Sequence, residues 1–383
     1  MTKENLIIHV LQHFFCALII CIAVTAFTGY GCWVPDTPDN ETVITPLDDL
    51  SLPARGFFMG ILPIPSEEQS LVQSYAQAAQ HAECAPVWSG GLGARGFWDY
   101  AESLAGGTGD LVVNSLIRSN GMFPIINFSF IDRDPATGLL IVKRPPDLPD
   151  ATLSHTRWRQ AYRDAVLDVV RTIRPRYISL GNEVNRWYEH YGADPENPDS
   201  FLHFVSLYEQ LYDAVKKLSP QSYVFCIFSR EVVAELREAD LSVLQLFDPD
   251  KLDVIVCTSY PNSVRTNPSG GALQEPFNSP ADIPDDYYSR IMSCFPDKPF
   301  GFSEVAWPSS EFFGGEQAQA DFITAVSGRL TRGQGMSLHL LGWPWLHDLD
   351  ENDTTGLIMR SGDEKEGYRV WKEISNATSN LLH

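Results

Sequence analysis

Short apolar runs rich in Val, Ile, Phe and Tyr recur along the chain, separated by longer stretches in which apolar positions return every three or four residues. The short runs read as strands buried on both faces, and the longer stretches as amphipathic helices. Eight such runs stand out, at residues 56–62, 83–88, 122–129, 176–181, 222–228, 252–259, 299–303 and 336–343. Helical spacing occupies 67–80, 109–119, 155–173, 201–218, 232–241, 285–293 and 316–331. A last stripe of Tyr368, Val370, Trp371 and Ile374 predicts a further helix over 367–375. Ser66 ahead of Glu67, Glu68 and Gln69, and Asp199-Ser200 ahead of Phe201, supply N-terminal capping signals.

This alternation of strands and helices predicts an α/β fold, a (β/α)8 TIM barrel, built as one domain over residues 54–383. An open doubly wound sheet alternates in the same way, but no G-x-x-x-x-G-K-S/T follows any of the runs. Two long loops rich in Pro, Asp, Asn and Gly, at 130–149 and 261–284, follow the third and sixth runs. Loops in that position of a barrel shape substrate sites.

The first thirty residues differ from the rest. The uninterrupted apolar run at 14–27 is too short for a comfortable membrane span, and residues 1–31 read as a secretory signal sequence. Gly31-Cys32 resembles the cleavage point of bacterial lipoproteins, which implies a lipid on Cys32 and attachment to the membrane; ordinary cleavage or an uncleaved anchor are the alternatives. Pro35, Asp36, Pro38, Asp39 and Asn40 mark residues 32–53 as a linker. The expected location is outside the cytoplasm, lipid-anchored in the cell envelope or extracellular.

Composition narrows the partners. The chain has 383 residues, 44% hydrophobic, and its 49 acidic against 28 basic residues leave a formal net charge of -21. That surface repels nucleic acid and anionic lipid, so a neutral partner is expected. Four cysteines remain beyond the leader, Cys84, Cys226, Cys257 and Cys294, with no C-x-x-C spacing, and they read as small core residues. The histidines form no metal-binding spacing and no G-x-S-x-G elbow is present, so neither a metal nor another cofactor is expected.

The chemistry is suggested by two strand ends. The fourth run closes as Leu180-Gly181-Asn182-Glu183 and the seventh as Phe302-Ser303-Glu304-Val305-Ala306-Trp307-Pro308. Each places one carboxylate where a barrel builds its active site, and strands three apart in a ring of eight let the two side chains converge. A pair of carboxyls is what glycoside hydrolysis needs: one protonates the leaving oxygen while the other attacks the anomeric carbon or activates water.

With Gly-Asn-Glu closing one strand and Ser-Glu-x-x-Trp-Pro the other, the chain resembles clan A glycoside hydrolases, with family 53 endo-galactanases and family 17 glucanases closest in flavour. The resemblance implies Glu183 as acid/base, Glu304 as nucleophile and Asn182 as a partner of the sugar hydroxyl beside the anomeric carbon. It further implies that Tyr260, in Ser259-Tyr260-Pro261, bonds the nucleophile and that Trp343 floors the sugar site. Trp88 and Trp307, with Trp98 and Trp187, extend that platform, and Asn127 at the third strand joins the candidate substrate contacts. The chain departs from the clan in lacking an arginine at the end of the second strand and a histidine near the third. The expectation is a retaining glycosidase acting on β-linked polysaccharide or oligosaccharide, with a non-catalytic glycan-binding barrel or a surface adhesin as alternatives. Sugar, linkage and oligomeric state are left open.

Overall fold

The computed structural model describes residues 42–48, 51–89 and 96–377. The expected signal sequence, Cys32 and most of the linker lie outside the described residues.

Nine parallel segments form one sheet: β1 (Phe58–Ile61), β2 (Cys84–Trp88), β3 (Phe123–Asn127), β4 (Tyr177–Ser179), β5 (Tyr223–Phe225), β6 (Ile227–Ser229), β7 (Ile255–Ser259), β8 (Phe300–Val305) and β9 (Leu338–Trp343). They pair in the order β5-β4-β3-β2-β1-β9-β8-β7-β6. The two ends of that order are halves of a single predicted run, interrupted at Cys226, so the sheet closes on itself as a barrel. β5 pairs with β4 while β6 pairs with β7. Backbone bonds from Leu180 N to the Phe225 carbonyl (2.9 Å), Ile227 N to Gly181 (2.9 Å) and Val184 N to Ile227 (3.1 Å) carry the ladder across the interruption.

The flanking helices are α1 (Leu71–Ala78), α2 (Phe97–Ala105), α3 (Thr156–Ile173), α4 (Asn185–Tyr191), α5 (Phe201–Leu218), α6 (Gly315–Ser327) and α7 (Glu366–Ser375), with a π-helical stretch at Gly109–Ile117. Ser200 caps α5 as expected, but α1 starts later than the sequence suggests: Ser70, not Ser66, forms a capping box with Gln73. Residues 232–241 form no α-helix, only a 3-10 turn at Val233–Glu235. Glu231–Val232 and Arg237–Glu238 pair as an antiparallel hairpin, with Leu236 in the left-handed region. Both Glu231 and Val232 are buried there, so tertiary contacts override local helical spacing. The expected helix at 285–293 is a short 3-10 turn, Ser289–Cys294.

Within the predicted linker, the described stretch 42–48 is docked on the barrel. Ile44 N donates to the Leu218 carbonyl (2.9 Å), Leu47 N to Arg174 (3.0 Å), and Asp48 pairs with Arg118 at 2.8 Å.

Two apolar layers hold the fold. Phe58, Cys84, Phe123, Ile125, Tyr177, Phe225, Ile227, Val254, Val256 and Leu340 pack inside the barrel. The larger layer lies between strands and helices, with Trp158, Tyr162, Trp371 and many aliphatic residues fully buried. Each such large side chain contributes about 1.5–3 kcal/mol on burial. At the N-terminal end of the barrel the Tyr177 hydroxyl and His339 Nε2 share a hydrogen bond of 2.8 Å under the edge of Phe58. That aromatic floor closes one end. Gly342 permits the close approach of β9 and β8, since a Cβ there would lie 2.3 Å from the Ser303 carbonyl oxygen. The four described cysteines carry free thiols, three in the core and Cys294 exposed.

Candidate active site

Strand register determines which side chains reach the mouth. Trp88 pairs with Asn127 and Asn127 with Ser179, on the face that also carries Cys84, Ile125 and Tyr177 inside the barrel. These residues therefore form the uppermost interior layer on one side. On the other side Ser229 pairs with Thr258 and Thr258 with Glu304.

Glu304 joins this layer through a bulge. Cys257 pairs with Phe302, but the next residue, Thr258, pairs with Glu304, leaving Ser303 as the extra residue on β8. In an unbroken register Thr258 would face Ser303, and Glu304 would point outward to the helices with Phe302. Glu183 arrives by a different device. It sits just past β4 with φ 49°, a left-handed conformation that a residue with a Cβ rarely adopts. Thr258 Oγ1 donates to Glu183 Oε1 at 2.7 Å, and the Tyr260 hydroxyl donates to Glu304 Oε2 at 2.7 Å. One threonine thus bonds the first carboxyl and is the cross-strand neighbour of the second.

Both carboxyls are held above the ordinary carboxylate range. Burial pushes Glu304 up to about 7, the nearby Glu183 charge adds to this, and the Tyr260 hydrogen bond opposes it. Burial also raises Glu183, against hydrogen bonds from Thr258 and Ser229 and the positive charge of Arg186. Each of two close acids resists ionisation once the other is charged, so the pair titrates as a unit.

The predicted residues divide into two groups. Glu183, Glu304, Asn182, Tyr260, Trp88 and Asn127 lie at the mouth or in the layer just beneath it. Asn182 Oδ1 and Asn127 Oδ1 are buried acceptors with no protein donor, as is Asn262 Oδ1 just after β7. Buried polar atoms are normally paired, so these three are suited to receive hydroxyl groups of a polyol. Trp343 and Trp307 correct the sequence reading. Trp343 shares its face with Leu341 and Ile61, is 1% exposed, donates to the Thr355 carbonyl (2.8 Å) and packs on Trp371. Trp307 is fully buried against Phe322 and donates to the Phe313 carbonyl at 2.9 Å. Both indoles lie in the layer between strands and helices and offer no face to a ligand. Trp187 is likewise core, and Asn185 clips β6, accepting from Ser229 N at 2.7 Å and donating to its carbonyl at 2.9 Å.

Sequence reasoning missed Thr258, Ser229, Trp345, Asp353 and Glu231. Trp345, two residues past β9, is only partly buried, and its indole Nε1 is a buried donor without a protein acceptor among the described residues; Asp353 lies close by, and its charge reaches Tyr260. Alternation along Leu341-Gly342-Trp343 was a usable signal, because a strand that turns Leu341 to the helices turns Trp343 there too.

No family model matches the sequence, and no curated protein matches it. Solved structures match in fold. A family 39 glycoside hydrolase from the gut symbiont Bacteroides cellulosilyticus WH2 aligns with a TM-score of 0.53 at 15% identity, over 87% of this chain and 65% of that one. A GH5_18 structure from Streptomyces cattleya in complex with GlcNAc gives a TM-score of 0.56 at 15% identity, covering 84% and 80%. Fungal β-1,4-galactanases give 0.53 at 16%, covering 82% and 98%. At these identities the likeness is one of fold, and the fold is the (β/α)8 barrel that the strand pattern predicts.

Proposed function

We propose that the chain is a retaining glycoside hydrolase, with Glu304 as nucleophile and Glu183 as general acid and then base, acting on β-linked sugars. The observation that supports this most is the convergence of two strand-end glutamates on Thr258, one brought by a bulge and the other by a left-handed backbone. A purely structural carboxylate needs neither device.

The chemistry follows from the geometry. Glu304, kept as the carboxylate by the Tyr260 hydroxyl, attacks the anomeric carbon while Glu183 gives its proton to the departing oxygen. The glycosyl ester on Glu304 carries no charge, so the repulsion between the two carboxyls disappears. Glu183, now ionised, accepts a proton from water, which attacks the anomeric carbon and breaks its bond to the Glu304 oxygen, freeing Glu304 as the carboxylate. Asn127, Asn182 and Asn262 accept from ring hydroxyls, and Trp88 and Trp345 supply the aromatic faces that carbohydrate stacks on. Export and lipid attachment through Cys32 complete the proposal and place the barrel beside extracellular glycan.

The test is release of chromophore from aryl β-glycosides and dyed β-glucans, galactans, xylans and mannans by the chain and by its E183A and E304A variants. Activity lost in both variants supports the reading. Activity that survives either substitution overturns the residue roles, and binding of glycan without turnover by the parent chain replaces the enzyme with a lectin-like barrel.

A further inference from the structure

Behind Tyr260 lies a buried glutamate that the proposed chemistry does not use. Glu231 follows β6, is 2% exposed, and receives three donors. Ser259 Oγ (2.9 Å) and the Tyr287 hydroxyl (2.7 Å) donate to its Oε1, and the backbone N–H of Tyr260 donates to Oε2 at 2.7 Å. The Tyr288 hydroxyl meets Ser259 Oγ from the other side at 2.8 Å. Arg230 lies over the Tyr287 ring at 3.9 Å, anchored by Glu238 (2.8 Å) and the Tyr287 carbonyl (3.1 Å).

The Tyr260 N–H needs a partner for a topological reason. The last backbone bond from the β6 side runs from Arg230 N to the Thr258 carbonyl at 2.9 Å, after which the chain turns away into the hairpin. The next position along that edge of β7 has no strand to pair with. Glu231 folds back and its carboxylate takes the place of the missing backbone acceptor. A buried carboxylate costs several kcal/mol in desolvation, and here it is placed at the residue whose hydroxyl touches the nucleophile.

We propose that Glu231 is a positioning residue for the nucleophile: it locks the Ser259–Tyr260 backbone so that the Tyr260 hydroxyl meets Glu304. Its catalytic consequence rests on the hydrolase reading, whereas the orientation of Tyr260 does not. The hydrogen bond from Tyr260 favours ionised Glu304, so anything that releases Tyr260 raises the titration midpoint of Glu304.

The experiment follows the Glu304 side-chain carboxyl by carbon-13 NMR, assigned by its absence in E304Q, through a pH titration of the full chain and its E231A, Y260F and E231A/Y260F variants. The expected result is an upward movement of the midpoint, equal in E231A and Y260F and no larger in the double variant. E231Q presents an amide to donors that a carboxylate alone satisfies together, and gives a smaller movement in the same direction; it decides the matter should E231A fail to fold. A folded E231A or E231Q with the parent midpoint, or additive movements in the double variant, overturns the proposal. On a cleaved aryl glycoside, E231A lowers kcat about 10- to 100-fold with KM within about twofold, and costs no more on the Y260F background. Absence of turnover in the parent chain would defeat the hydrolase reading and leave the titration to judge Glu231.

Discussion

Glu304 and Glu183 share one environment, and their titration is the first quantity to measure. In the proposed mechanism Glu304 works as a carboxylate and Glu183 as an acid, so kcat/KM is expected to rise with the first ionisation of the pair and fall with the second. Burial raises both carboxyls, so a bell-shaped profile is expected with both midpoints above the ordinary value of about 4.3. Its optimum lies nearer neutrality than acid. With an aryl glycoside whose leaving group needs no proton, E183Q keeps the acid limb and loses the alkaline one. The same shift bears on stability. A carboxyl whose folded pKa is raised to about 7 adds stability fully below its unfolded value, and that contribution is lost as pH rises through 7. E304Q removes the cost of the buried charge: its Tm should exceed the parent's by roughly 2 to 5 °C at pH 8, with the difference disappearing near pH 4. Differential scanning calorimetry at the two pH values checks this.

At the scale of the element, β8 matters through one surplus residue. Deleting Ser303 closes the bulge and makes Glu304 the residue after Phe302, still opposite Thr258 and on the inward face. The expected outcome is turnover that is reduced but stays well above E304A, because the carboxylate keeps its inward face; a fall to the level of E304A in a folded variant shows that the bulge itself sets the height of Glu304 in the mouth. S200A, by contrast, removes only the cap of α5 and costs about 1 kcal/mol in chemical denaturation without touching the site. Bulges explain where reading the sequence succeeds and fails. All eight strands are visible as apolar runs because both of their faces are buried, and the two glutamates are visible as polar residues closing such runs. Thr258 and the inward turn of Glu304 are not visible, because they depend on register between strands distant in the chain. Trp343 misled for the opposite reason: its neighbours resemble a sugar-binding strand end, yet simple alternation assigns it to the core. The hairpin at 231–238 was hidden because Glu231 is drawn inward by partners on β7 and beyond.

At the scale of the whole molecule, closure is achieved by a run broken at Cys226, each half paired with a different neighbour. The aromatic floor at Tyr177 and His339 leaves the opposite end to hold the site. The acidic surface, with a formal net charge of -21, neither attracts nor repels an uncharged sugar. Turnover of a neutral oligosaccharide should therefore change less than about twofold in kcat/KM between 20 mM and 0.5 M sodium chloride, while an anionic glycan gains from added salt. Initial rates on the two substrates test it. The left-handed backbone at Glu183 has a historical consequence. Holding a side chain with a Cβ in that conformation costs about 1–2 kcal/mol, a burden that, on the proposed reading, selection for turnover maintains. In a descendant lineage that kept the barrel but abandoned cleavage, position 183 is where drift toward glycine or asparagine would be rewarded first. A sequence carrying either residue there, with the barrel otherwise intact, would mark a retired enzyme.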